Sequence, residues 1–144
     1  MKLLTFKVSG HSENNTKTIV NARNFKLVID EPESLGGNNE GATPVEFLLA
    51  ALVGCLTVVG NLVAKEMKFV INDLQINVEG DMDPAKFLGK SDEQRTGYQN
   101  IRVSVKVKSE ADAITLEQWL KEVERRCPVS DNLFNKTPLT LNII

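Results

Sequence analysis

From Phe47 to Ala64 the chain is apolar almost without interruption, and no other segment limits the possible folds so sharply. Its length is close to the minimum for a membrane-crossing helix, and Lys65 and Lys68 follow it as flanking charges. The interior, however, carries Gly54, Thr57, Gly60 and Asn61, and the segments on either side are amphipathic and need a surface to cover. We therefore read this run as a core helix and expect no membrane span. Thr43 suits the N-cap, Pro44 the first helical position and Glu46 the third, completing a capping box. The helix should run to about Lys65. Because apolar residues occur nearly all the way round, it should be buried on more than one side. One small sheet cannot provide that much cover, so two copies packing their central helices together inside two sheets is the economical arrangement.

Around this helix the pattern changes to period two. Leu3 to Val8, Thr16 to Asn21 and Phe25 to Asp30 alternate apolar and polar residues, which predicts an antiparallel N-terminal meander. Glu33 to Gly41 holds Gly36, Gly37, Asn38, Asn39 and Gly41, the composition of a loop that uses positive φ angles; its glycines lack the spacing of a phosphate-binding loop. Leu74 to Glu79 and Ile101 to Lys108 read as two strands facing each other across a charged surface loop, Asp81 to Gly97. Ala111 to Arg126 has helical spacing, with acidic residues at its start and Arg125 and Arg126 at its end. Pro128 should stop that helix, and Leu139 to Ile143 should form a last strand. Strands, a buried helix, a hairpin, a helix and a strand give an α+β class in one domain spanning residues 1–144.

Composition narrows the function. The net charge is −2, and the 17 lysines and arginines are dispersed, so no basic stripe follows a phosphate backbone and no nucleic-acid partner is expected. The N-terminal residues lack the features of a secretory signal, so a cytoplasmic location is expected. Its two cysteines fit neither a disulfide-rich scaffold nor a paired-ligand zinc site, and in a reducing compartment they rest as thiols.

Those cysteines are the chemistry-bearing residues. Cys55 lies in the middle of the central helix, where a lone cysteine is most simply a small buried hydrophobe. Cys127 stands at a helix end directly before Pro128. There the negative end of the helix dipole raises a thiol pKa, while Arg125 or Arg126 would lower it on turning back toward the sulfur. Cysteine-based peroxide reduction needs one thiolate to attack the O–O bond and a second thiol to resolve the sulfenic acid. Two thiols, one per helix, are the minimum set.

The segment Thr43-Pro44-Val45-Glu46-Phe47-Leu48-Leu49-Ala50-Ala51-Leu52-Val53-Gly54-Cys55 resembles the central-helix start of the OsmC/Ohr family (osmotically inducible protein C, organic hydroperoxide resistance). Cys127-Pro128-Val129-Ser130 resembles its second cysteine motif, and Gly36 to Gly41, Glu79-Gly80-Asp81 and Tyr98-Gln99-Asn100-Ile101 are also similar. The resemblance implies an OsmC-like α+β fold in which antiparallel sheets wrap long central helices in an intertwined, domain-swapped homodimer. It further implies thiol-dependent reduction of organic hydroperoxides in the oxidative stress response, with no cofactor, metal or flavin. By that resemblance Cys55 attacks the peroxide and Cys127 resolves, and an external dithiol, a lipoyl protein or a thioredoxin-like one, reduces the disulfide.

The chain departs from the pattern at two places. Val45 stands where the well-studied peroxidases carry a glutamate, and the loop His11 to Asn15 has no arginine. Glu46 is half a turn and on the order of 13 Å away from Cys55 along one helix, so it serves the capping box. Arg23, Arg95, Arg102 and Arg126 are the candidates for activating a thiolate. A non-enzymatic relative that binds an apolar ligand or a partner, with structural or sensing cysteines, is the alternative. A hydrolase or transferase using Cys55 with a histidine base is disfavoured, because His11 is the only histidine and sits in a polar loop.

Overall fold

The structure, a computed structural model, describes residues 2–144, which divide between Leu48 and Leu49 into two units. In the first unit β1 (Ser9–Ser12), β2 (Thr18–Ala22) and β3 (Phe25–Ile29) form an antiparallel sheet in sequence order. The register pairs Ser12 with Thr18 and Ala22 with Phe25. Arg23 takes the positive φ of 58° that the tight β2–β3 turn requires, and its guanidinium lies 5.1 Å over the Phe25 ring. The expected strand from Leu3 to Val8 is not formed. These residues are irregular and Leu3, Leu4, Phe6 and Val8 are exposed, because alternation supplies a face to bury but not a sheet edge to pair with.

The glycine-rich loop uses positive φ at Gly36 (85°) and Asn39 (57°), as its composition predicts. It is held from beneath by the fully buried Asp30, whose Oδ2 accepts the backbone N–H groups of Asn38 and Glu40, each at 3.1 Å. Burial pushes the Asp30 carboxyl up, but N–H donors from Glu40, Glu31 and Asn38 and the Thr16 hydroxyl outweigh it and hold it below the ordinary aspartate value.

The loop ends in α1 (Pro44–Glu66), which starts through the capping box its sequence specifies. Glu46 Oε2 accepts the Thr43 N–H at 2.8 Å, and Thr43 Oγ1 accepts the Glu46 N–H at 3.4 Å. By length and composition α1 could cross a membrane. Here one of its faces supplies Leu52, Leu56, Val59, Val63 and Ala64 to the core of the second unit. Ala51, Gly54, Val58, Leu62 and Lys65 form a stripe on the opposite side that this chain leaves exposed, so burial on more than one side is not reached within one copy.

The second unit continues with a hairpin of β4 (Ile71–Asp81) and β5 (Asn100–Ser109), paired antiparallel with Leu74 opposite Val107 and Val78 opposite Val103. Its alternation turns Leu74, Ile76, Val78, Val105 and Val107 toward the core. Helix α2 (Ala113–Arg126) is N-capped by Asp112, which accepts the Thr115 N–H at 2.7 Å. Trp119 locks α2 against α1: its indole N–H donates to the Gly60 carbonyl at 2.8 Å, and a Cβ on Gly60 would sit 3.1 Å from the Trp119 ring.

Pro128 ends α2 as expected, but it also opens α3 (Pro128–Phe134), a helix the sequence reading did not include. Proline at a first helical position lacks an N–H that would be unpaired in any case, so a stop for one helix serves as a start for the next. The expected last strand, Leu139 to Ile143, is absent. The chain is irregular there with Leu139, Leu141 and Ile143 exposed, and, as at Leu3 to Val8, the apolar alternation is not laid against a neighbouring strand.

Candidate active site

Cys55 falls at the start of the fourth turn of α1, three residues after Leu52 and four before Val59, which places its sulfur beside the core face. Cys127 is the hinge residue between α2 and α3, one turn beyond Val123, and is 1% exposed; Cys55 is half-buried. The packing of α2 on α1 brings the two sulfurs to 3.0 Å across 72 residues of sequence. Both are free thiols, joined by one hydrogen bond whose proton can sit on either sulfur.

Cys127 Sγ also accepts the backbone N–H of Ser130 at 3.4 Å, which makes the cysteine side chain the N-cap of α3. Burial raises both thiols. For Cys55 the hydrogen bond to Cys127 adds to that rise, and the Val129 N–H offsets only part of it, so this thiol lies above the ordinary value. For Cys127 the bond from Cys55, the hydroxyl and N–H of Ser130 and the N–H of Val129 outweigh burial, so this thiol lies below it.

The candidate cations do not reach the sulfurs. Arg102 pairs with Glu79 and Asp81, Arg126 with Glu66 and Glu122, and Arg23 stacks on Phe25. Arg95 makes no ion pair among the described residues and lines a cavity of about 520 Å³ within the second unit. Leu52 and Leu56 of α1, Ile76 of β4, Ile101 and Val105 of β5, Trp119 and Val123 of α2 and Phe134 of α3 give this cavity an apolar wall. Gln99, Asn100 and Glu124 join Arg95 as its polar lining, and Ser130 links it to the cysteine pair. Among the described residues no cluster of three or more His, Cys, Asp or Glu side chains could hold a metal ion. Sequence reasoning found both cysteines and missed Ser130, although Cys-Pro-x-Ser reads as an N-cap, a proline at N1 and a donor at N3.

Over residues 37–142 the sequence matches the family described as OsmC-like protein. The chain belongs to the OsmC-like family. Solved structures agree on its fold. An OsmC-like protein from Mycoplasma pneumoniae superposes with a TM-score of 0.79 at 20% identity, covering 91% of this chain and 88% of that one. A protein from Legionella pneumophila described as organic hydroperoxide resistance protein OsmC gives 0.65 at 19%, covering 92% and 91%. The organic hydroperoxide resistance protein OhrB of Bacillus subtilis gives 0.59 at 19%, covering 91% of each. No curated protein matches the chain in sequence. At these identities the OsmC-like relatives speak for the α+β architecture, and the chemistry has to be argued from the residues of this chain.

Proposed function

We propose that this OsmC-like protein is a two-cysteine peroxidase that reduces organic hydroperoxides in the oxidative stress response. The observation that carries the reading is the 3.0 Å approach of Cys55 and Cys127, two free thiols delivered by separate elements. One hydroperoxide and two thiols give one alcohol, one water and one disulfide, and this pair can complete the exchange with little movement. The apolar wall of the 520 Å³ cavity suits an organic substrate better than hydrogen peroxide. An external dithiol, lipoyl-bound or thioredoxin-like, would reduce the disulfide, and a cytoplasmic setting would keep the pair reduced between turnovers.

The working unit in this proposal is a homodimer. The α1 stripe of Ala51, Gly54 and Val58 has small residues where a second helix could approach closely, and Val58 is 69% exposed. A second reading, a non-catalytic binding protein with sensing thiols, is favoured by one observation: no guanidinium among the described residues contacts either sulfur. Stopped-flow oxidation of the reduced protein by cumene hydroperoxide and by hydrogen peroxide, with mass spectrometry of the product, separates the two. Rapid, organic-selective loss of both thiols into a Cys55–Cys127 disulfide is the expected result. Thiols that survive a large excess of both peroxides would remove the peroxidase and leave the binding protein.

A further inference from the structure

Arg95 is a cation left without a partner at the wall of an apolar cavity. Among the described residues its guanidinium makes no ion pair. Carboxylates near it in sequence are engaged elsewhere: Asp81 is taken by Arg102, Asp92 by Lys86, and Asp83 accepts the Ala85 N–H. The turn that carries Arg95 is nevertheless fixed. The Gln99 side-chain amide donates to the carbonyls of Arg95 and Gly97 at 2.9 and 2.6 Å, and the Gln99 backbone N–H donates to the Asp81 carbonyl at 2.7 Å. The Tyr98 ring packs on Gly80, where a Cβ would come within 2.6 Å of it, and the Arg95 guanidinium lies over Gly97, 3.2 Å from where a Cβ would stand.

The cavity measures about 520 Å³, inside the range of roughly 300–1,000 Å³ that holds small organic molecules. Leu52, Leu56, Ile76, Trp119 and Val123 give it a wall suited to an aliphatic tail. Beside that wall Arg95 presents a planar fork of donors, which matches a carboxylate. Glu124 of α2 is the one carboxylate in the same lining. No donor among the described residues holds it, so it can turn to solvent beside a singly charged head, and it disfavours a doubly charged one such as a phosphate monoester.

We propose that this cavity is a binding site for an aliphatic monocarboxylate, with Arg95 as the anchor of the head group and the wall around Trp119 as the seat of the tail. Neither cysteine belongs to the lining, but Ser130 serves both places: it lines the cavity, and its N–H reaches the Cys127 sulfur. A bound tail therefore lies beside the thiol pair. One consequence rests on the proposed peroxidase reading: a hydroperoxide that bears a carboxylate is oriented by Arg95, and a neutral one such as cumene hydroperoxide is not.

The chain has one tryptophan and it lines the cavity, so Trp119 fluorescence reports occupancy without a label. Reduced wild-type protein is titrated with hexanoate, octanoate and decanoate, and with decan-1-ol and decyltrimethylammonium as neutral and cationic heads, all below their micelle concentrations. Affinity should rise about fourfold per added methylene, and decanoate should bind at least about fivefold more tightly than decan-1-ol. Arg95→Gln, a change at an exposed loop position, should erase that preference without weakening decan-1-ol, and Arg95→Lys should keep part of it. Equal binding of decanoate and decan-1-ol by the wild type, tightest binding of the ammonium, a preference that survives in Arg95→Gln, or no binding of any of them overturns the proposal. Decanoate bound through Arg95 on a protein whose thiols survive cumene hydroperoxide leaves the site standing and removes the peroxidase. Rapid oxidation of the thiols by cumene hydroperoxide, with no preference for decanoate over decan-1-ol, does the reverse.

Discussion

Replacing Trp119 with phenylalanine should destabilise the protein by about 2 kcal/mol, and the structure supplies both parts of that figure. The indole N–H donates to the Gly60 carbonyl at 2.8 Å from a side chain only 2% exposed, and loss of such a bond costs about 1 kcal/mol. Phenylalanine is also roughly 40 Å³ smaller, and at about 24 cal/mol per Å³ of unfilled cavity that adds about 1 kcal/mol. The melting temperature should fall by roughly 6–10 °C. The companion change tests the interlock itself. In wild type, Gly60→Ala gains about 1 kcal/mol of helix propensity but drives a Cβ to 3.1 Å from the Trp119 ring, an overpacking cost of about 1–3 kcal/mol. In Trp119→Phe the ring atom that clashes is gone, so Gly60→Ala should become stabilising. Urea unfolding followed by circular dichroism, at one fixed protein concentration because association shifts apparent stability, measures all four corners of the cycle. A coupling of at least about 1 kcal/mol is expected; additivity to within about 0.5 kcal/mol would show that the Trp119–Gly60 contact does not hold α2 on α1.

Thr43→Ala removes the hydroxyl of the α1 capping box and should cost about 1 kcal/mol in the same urea assay. Val58→Glu places a charge on the exposed α1 stripe; sedimentation velocity should report a monomer in place of the proposed dimer, and an unchanged mass would move the interface elsewhere. Asp30 and Glu46 have folded pKa values below their unfolded ones, so each contributes stability above about pH 4 that is lost as pH falls through the folded value. Asp30→Asn should therefore flatten the acid limb of a stability–pH profile, and an unaltered limb would assign acid sensitivity to other carboxylates.

Legibility in the sequence followed how local each determinant was. The α1 start was readable because Thr43, Pro44 and Glu46 interact within one turn. The β4–β5 hairpin was readable because Leu74, Ile76 and Val78 on one strand and Val105 and Val107 on the other repeat with period two. Both cysteines stood out by type, but their contact depends on how α2 crosses α1, which Trp119 and Gly60 determine from 59 residues apart. The fate of the arginines was equally hidden: Arg126 finds Glu66 from another helix, and Arg102 finds Asp81 across the hairpin. Spacing shows that a charge exists, not which partner takes it. Pro128 misled in an instructive way, since one residue both terminates a helix and favours the start of another, and here the Cys127 sulfur caps the second by accepting the Ser130 N–H.

The two failed strands bear on assembly. Leu4, Phe6 and Val8, and likewise Leu139, Leu141 and Ile143, alternate with the period of a half-buried strand, yet Leu139 and Ile143 are 84% and 104% exposed. The pattern encodes a face, whereas a strand also needs an open edge with free N–H and C=O groups. Such edges exist in each unit: among the described residues β1 pairs only with β2, and β4 and β5 pair only with each other. A two-stranded sheet is marginal without further cover, so the hairpin under α1 is itself incomplete by the measure that makes the terminal segments incomplete. In the proposed homodimer a second copy would bring strands to these open edges and cover to the α1 stripe. This argument is separate from the thiol chemistry, and the two can fail independently: a monomeric protein could still oxidise the Cys55–Cys127 pair, because both sulfurs, the Ser130 donor and the cavity all lie within the second unit of one chain.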